Sequence, residues 1–136
     1  MLDDIGLVAA IRRLTSDLTK HHGVDVDIDV VLDGLHDDTR FVAEIETVVY
    51  RVVQEALTNV ARHAAASHAT VLLAADSARV RAEVVDDGSG FDPPARRPTS
   101  LGLAGMAERA SLAGGHLEIT GRRGAGTTVR LEVPRA

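Results

Sequence analysis

The order of periodicities along this chain predicts an α+β domain: a two-layer α/β sandwich with a mixed, mostly antiparallel sheet of about five strands and helices on one face. Three observations carry that expectation. Stretches of helical period at 2–20, 40–65 and 103–113 are interleaved with strand-like runs at 24–32, 69–76, 78–86, 116–120 and 127–133. The resulting order, with two pairs of consecutive strands, is not the strict alternation of a doubly wound parallel sheet. Both consecutive pairs are joined by short turn-like segments, which calls for antiparallel hairpins and leaves one sheet face partly wet.

Each element has its own justification. In 2–20, Leu2, Ile5, Val8 or Ala9, Ile11 or Arg12, Leu14 and Leu18 recur at helical spacing, and Gly23 permits a stop. The run VDVDIDVVL at 24–32 alternates apolar and acidic residues, as a strand with one buried and one wet face does, and Asp33-Gly34 marks a turn. Helical period returns at 40–65 through Val42, Ile45, Val48, Val49, Val52, Ala56 and Val60. The strands ATVLLAAD and ARVRAEVVD follow, joined by a turn near Asp76 to Ala78. The stretch DPPARRPTS holds three of the four prolines and no apolar period, so it reads as a loop. A last helix and the strands HLEIT and TTVRLEV around the turn GRRGAG complete the chain.

Composition narrows the function classes. A chain of 136 residues suits one domain and can bury a core without a metal or disulfide staple. It has no cysteine, which excludes thiolate catalysis and Cys-ligated metal sites and fits a reducing, cytoplasmic setting. No apolar run approaches the roughly 20 residues of a membrane span, and the opening MLDD is not a secretory signal, so no membrane contact is expected. With 15 basic against 20 acidic residues, the net charge of -5 argues against nucleic acid as a partner.

The helix at 40–65 poses the functional question. At about 100° per residue, with Ile45 as zero, the apolar arc runs from about 300° at Val48 through Val52 and Ala56 to about 120°. Asn59 falls at about 320° and His63 near 0°, inside that arc, while Glu55 borders it at about 280°. A polar group left unpaired in a core costs a few kcal/mol, roughly. Either Asn59 and His63 bond neighbouring backbone or each other, or the helix floors a polar cavity.

Two glycine-rich elements could complete such a cavity. VVDDGSGF ends a strand with Asp86, Asp87 and the glycines Gly88 and Gly90, which let backbone pass close to a flat ligand while a carboxylate accepts from it. Taken alone it is also an ordinary Asp-Gly turn. SLGLAGMAERA places Gly102 and Gly105 at the mouth of a helix, whose free N–H groups suit phosphate. Nine of the 12 glycines lie at or after residue 88, so special backbone geometry is concentrated in the last third.

In combination these motifs are more specific. An Asn central to a helix, D-x-G-x-G after a strand, G-L-x-G-M opening a helix and G-x-G-T-x-V entering the last strand resemble the ATP-binding domain of the GHKL superfamily. That superfamily holds the gyrase, heat-shock chaperone, histidine kinase and mismatch-repair ATPases. The resemblance runs from about residue 41 to Pro134. YRVVQEALTNVARHA, DDGSGF, GLAGMAERASLAGGHLEI and GAGTTVRLEVP look like the sensor histidine kinases paired with LuxR-type response regulators. LDDIGLVAAIRRL is similar to the end of their second dimerisation helix. The resemblance implies a histidine-kinase-like ATPase fold, with 1–22 as the end of a dimerisation helix and linker and 23–136 as the catalytic domain.

The resemblance also implies roles. Asn59 would ligate Mg²⁺ through its amide oxygen, the metal bridging the phosphates of ATP. Glu55 matches the acidic position that orients or deprotonates the attacking group. Arg62 and His63 match positions that lean on the phosphates. Asp86 would accept from the adenine amino group, Gly88 and Gly90 would clear space for the ring, and Thr127 would approach adenine, in part through water. Gly102, Leu103 and Gly105 would form a lid hinge and helix mouth near phosphate, with Met106 packed inside. The loop from Asp92 to Ser100 departs from the family in being short for a nucleotide lid; Arg96 or Arg97 is the best local candidate for closing over phosphate, the alternative being a solvated surface pair.

The expected partners are ATP, the dimerisation and phosphoacceptor domain of the same kinase and, indirectly, a response regulator. His21, His22 and His36 do not sit as a phosphoacceptor would, so the acceptor His is expected upstream of Met1. An anti-sigma-factor serine kinase and a nucleotide-regulated, non-catalytic binding module are the alternatives.

Overall fold

The alternation at 24–32 forms the edge strand β1 (Asp25–Leu32), whose burial alternates exposed and half-buried along its length, as the acidic and apolar residues require. A computed structural model of the chain describes residues 2–36, 39–63, 67–88, 101–121 and 126–135. The side chains of residues 3, 63 and 101–104 lie outside the described set. The remaining strands are β2 (His68–Ala75), β3 (Arg79–Asp86), β4 (His116–Gly121) and β5 (Thr127–Pro134). They form one five-stranded sheet in the order β1-β2-β3-β5-β4. β1 and β2 are parallel and every other pair is antiparallel, so the sheet is mixed and mostly antiparallel, as expected.

The parallel pair follows from the chain between its strands. A parallel connection needs a crossover of a dozen or more residues, and α3 (Ala43–His63) supplies it. Its apolar arc is buried as the wheel predicts: Val49, Val52, Val53 and Leu57 are almost wholly enclosed. Each such side chain contributes on the order of 1.5–3 kcal/mol through burial. α3 packs against β3 and β5, and against α2 and α4 on either side.

The predicted helix at 2–20 is two pieces, α1 (Leu2–Ile5) and α2 (Leu7–His22). They are separated by Gly6 at φ 83, a conformation that favours glycine. The side chain of Arg40 fills the space beside it, with Cδ 3.1 Å from where a β-carbon would stand. α2 ends where expected, at left-handed Gly23, whose N–H donates to the Thr19 carbonyl. Leu7 and Ile11 of α2 join the core, and the helix packs on α3 and β1. α4 (Leu101–Leu112) starts two residues before the expected 103, so Gly102 and Gly105 lie within its first turns.

Period two sorts the sheet into faces. Val80, Ala82, Val84 and Asp86 of β3 lie on the covered face with Val129, Leu131 and Val133 of β5. The other face carries charges: Arg130 bridges Glu83 at 3.0 Å and Glu118 at 3.6 Å, and Arg79 reaches Glu132 at 3.3 Å. Such exposed pairs contribute at most about 1 kcal/mol each, so cohesion comes from the covered face.

Two ties fix the direction of α3 over the sheet. At its start, the Arg135 guanidinium sits 5.4 Å from the Phe41 ring centroid, and the Arg135 N–H donates to Ala78, where β5 ends and β3 begins. Past its end, Ser67 is hydrogen-bonded to Asp87, just beyond the end of β3. α3 therefore runs toward the end of the sheet where β3 finishes and β5 begins.

Candidate functional site

Asp86 is the last residue of β3, and the parity that buries Val80, Ala82 and Val84 turns it toward the helix layer, with only 8% of its surface exposed. A carboxylate there is costly unless it is hydrogen-bonded. Oδ1 accepts the Gly88 N–H at 2.8 Å, and the Thr127 N–H also faces the group. Burial nonetheless dominates: it pushes the Asp86 carboxyl above the usual carboxylate range, the two N–H groups pull it back in part, and the neighbouring Asp87 charge adds to the rise. A carboxylate has about four lone-pair directions, so a further donor can be accommodated.

Thr127 stands directly across from Asp86 at the start of β5, so the register alone brings these two predicted residues together. Gly126 makes the approach possible. It sits at φ 84, and a β-carbon there would overlap the Asp86 carbonyl oxygen. Gly126 is absent from the site expected from sequence, although the G-x-G-T motif contains it.

Above this end of the sheet lie the last turns of α3. Val48 and Val52 are buried at 7% and 1% exposure, yet Asn59, which falls between them in angle about the helix axis, is only half-buried. The core stripe thus opens where it turns polar. Among the described residues none hydrogen-bonds the Asn59 side chain. Glu55, one turn earlier, is also half-buried, and Arg62 in the last turn is exposed. His63 ends the helix, but its side chain lies outside the described residues.

α4 leads by the three residues 113–115 into β4 at His116, which pairs with Glu132 near the far end of β5. The helix packs back along β4 and spans about 18 Å, so its start points toward the end where Gly121 faces Thr127. Gly105 is exposed, with no described residue within 4 Å of where a β-carbon would stand, and Met106 packs against the core as expected. For Gly102 and Leu103 only the helical backbone is described. Gly90, Arg96 and Arg97 lie outside the described residues.

The two aspartates of DDGSGF have opposite duties. Asp87 points away from Asp86 and is exposed; its Oδ1 accepts the N–H groups of Ser67 and His68, both at 3.0 Å, and its Oδ2 accepts the Ser67 hydroxyl at 3.1 Å. Extending the alternation of β3 by one residue would have shown the opposite facing of the pair. The partner of Asp87, 20 residues away, has no such signal.

Glu46 is a second residue the sequence reading passed over. It is 1% exposed, yet Oε1 and Oε2 accept from the Arg40 guanidinium at 2.9 and 3.0 Å, and Oε2 from the Phe41 N–H at 3.1 Å. Burial acts to raise its pKa, but those bonds and the Arg40 charge outweigh it and hold Glu46 below the usual range. It anchors the start of α3, far from Asp86.

An open depression of about 540 Å³ lies at that opposite end of the sheet, bordered by Val31, Asp33, Ala74, Asp76, Arg79 and Arg81. None of the predicted site residues lines it. Among the described residues no group of three His, Cys, Asp or Glu is placed to hold a metal ion unaided. A lone amide such as Asn59 suits Mg²⁺ as one oxygen ligand beside phosphate and water.

Residues 44–136 match the family described as histidine kinase-, DNA gyrase B-, and HSP90-like ATPase. Over 133 residues the chain is 34% identical to the signal transduction histidine-protein kinase/phosphatase DegS of Brevibacillus brevis, covering 98% of this chain and 33% of that protein. It thus spans a third of that relative's length. Its fold matches the histidine kinase domain of the Erythrobacter litoralis EL346 blue-light activated histidine kinase at a TM-score of 0.71 and 25% identity, covering 95% of this chain and 65% of that one. Against a longer EL346 kinase chain the TM-score is 0.68 at 25% identity, over 95% and 42%.

Proposed function

The chain belongs to the family of histidine kinase-, DNA gyrase B- and HSP90-like ATPases, and from that premise we propose that it is the ATP-binding catalytic domain of a two-component sensor histidine kinase. In this reading it donates the γ-phosphoryl group of ATP to a His on a separate dimerisation domain, for relay to a LuxR-type response regulator in the cytoplasm. Residues 1–22 form the end of a dimerisation helix and 23–136 the catalytic domain.

The observation that carries the reading is Asp86: a carboxylate on the covered face, 8% exposed, at the end of the sheet toward which α3 runs. Asp86 accepts from the adenine amino group, which guanine replaces with a carbonyl, and the donor offsets the cost of burying the charge. Gly88 and Gly90 leave room for the ring, and Thr127 contributes through water. Asn59 would hold Mg²⁺, whose charge would offset that of the phosphates. Arg62 and His63 donate to phosphate oxygens, and Gly102, Leu103 and Gly105 supply the helix mouth and lid hinge.

In the transfer, a bond forms from the acceptor imidazole nitrogen to the γ-phosphorus as the bond to the bridging oxygen breaks and ADP leaves. Glu55 orients the acceptor. The protein's contribution is position and charge neutralisation rather than covalent chemistry.

Calorimetric titration with a non-hydrolysable ATP analogue, with and without Mg²⁺, tests the proposal. Binding strengthened by Mg²⁺ is the expected result. Binding indifferent to Mg²⁺ would favour a regulatory module, and no binding would overturn the reading.

A further inference from the structure

Building on the nucleotide reading above, we infer that Asp87 is a positioning residue: its carboxylate ties Ser67 and His68, where the chain enters β2 shortly after α3, to the end of β3, and so helps hold Asn59 and Asp86 at their working separation. The two halves of the site are carried by elements far apart in the chain, and a site split this way works only if something fixes their separation. Tolerances for productive geometry are on the order of 0.5 Å.

The clasp is specific. Asp87 accepts three hydrogen bonds, from the Ser67 N–H, the Ser67 hydroxyl and the His68 N–H, and its own N–H donates to the His68 carbonyl at 3.1 Å. Ser67 in turn accepts the Asp25 N–H at 3.0 Å, so the beginnings of β1 and β2 and the end of β3 meet at this residue. The bond from His68 is the first cause holding the Asp87 carboxyl below its usual range; slight burial opposes it and the Ser67 bonds reinforce it. The group is therefore ionised when it accepts.

Geometry carries the consequence to the site. His63 ends α3 four residues before Ser67, and at no more than about 3.6 Å per residue the chain between them reaches at most about 14 Å. Asn59 lies one turn inside that helix end, and Asp86 is covalently next to Asp87. Removing the Asp87 side chain leaves Ser67 tied, among the described residues, only through its carbonyl to the Asp25 N–H, which loosens the chain just past α3 while the strand pairing of Asp86 with Thr127 stays intact. The phosphate half should suffer and the adenine half should not.

The test compares Asp87→Ala with Asp87→Asn, titrating each with adenosine and with the Mg²⁺-loaded ATP analogue. Asn keeps one accepting oxygen for the two N–H groups, and its amide can donate to the Ser67 hydroxyl, so it rescues the clasp. Asp87→Ala should weaken the analogue about tenfold and leave adenosine within about twofold, while Asp87→Asn stays within about threefold of wild type for both. Ser67→Ala, which removes one of the three bonds, should show a smaller loss of the same selective kind. Unchanged affinity in Asp87→Ala, or equal proportional losses of both ligands, would overturn the inference. Failure of the wild type to bind either ligand would instead overturn the nucleotide reading beneath it.

Discussion

A β-carbon at Gly126 would overlap the carbonyl oxygen of Asp86, so the strand that brings Thr127 to the buried carboxylate can pass only as glycine. Gly126→Ala combines this overlap with a positive φ. It should cost about 3 kcal/mol or more, read as a lowered urea midpoint with an unchanged slope.

Gly105 is the contrasting case, exposed within α4 with no described residue crowding it. Gly105→Ala should stabilise the fold by about 0.5–1 kcal/mol through helix propensity. If Gly105 serves as a lid hinge, the same variant weakens binding of the ATP analogue. Urea denaturation and calorimetry on one sample separate the two effects.

Asp86→Asn removes a charge that burial disfavours. The raised pKa means that the ionised form costs stability, a cost that appears as pH rises past the unfolded value of 3.8 and is complete above the folded one. The variant should therefore be at least as stable as wild type at pH 7 while binding adenosine about 10–100-fold more weakly. In the wild type, adenosine affinity should fall on acidification at a higher pH than an ordinary aspartate would give.

Glu46 behaves with the opposite sign. Its lowered pKa contributes stability above the unfolded value of 4.5 that is lost as pH falls through the folded one. Glu46→Gln should cost about 2 kcal/mol at pH 7, and the gap from wild type should close in acid. Because Glu46 anchors the start of α3, away from Asp86, adenosine affinity in the folded variant should be unchanged.

Much of this architecture was legible because burial follows period. The alternation of 24–32 and 78–86 gave β1 and β3 their faces, and continuing it fixes Asp86 inward and Asp87 outward. The apolar arc of α3 marked Asn59 as a polar residue on a core stripe. Glu46, at about 100° on the same wheel, was equally open to that reasoning and was missed. The break at Gly6 was hidden because the apolar period of 2–20 continues through it, and only the positive φ against Arg40 splits the helix. The clasp of Ser67 by Asp87 and the approach of Gly126 to Asp86 depend on strand register, which no local pattern encodes.

The central claim is that one nucleotide spans the exit of α3 and the paired ends of β3 and β5. Amide chemical-shift mapping of the ¹⁵N-labelled protein on adding the Mg²⁺-loaded ATP analogue tests it most directly. The account predicts saturable shifts at both Asn59 and Arg62 on the helix and Asp86, Gly88 and Thr127 on the strands. Shifts confined to the opposite end of the sheet, around Asp33, Asp76 and Arg81, would contradict it.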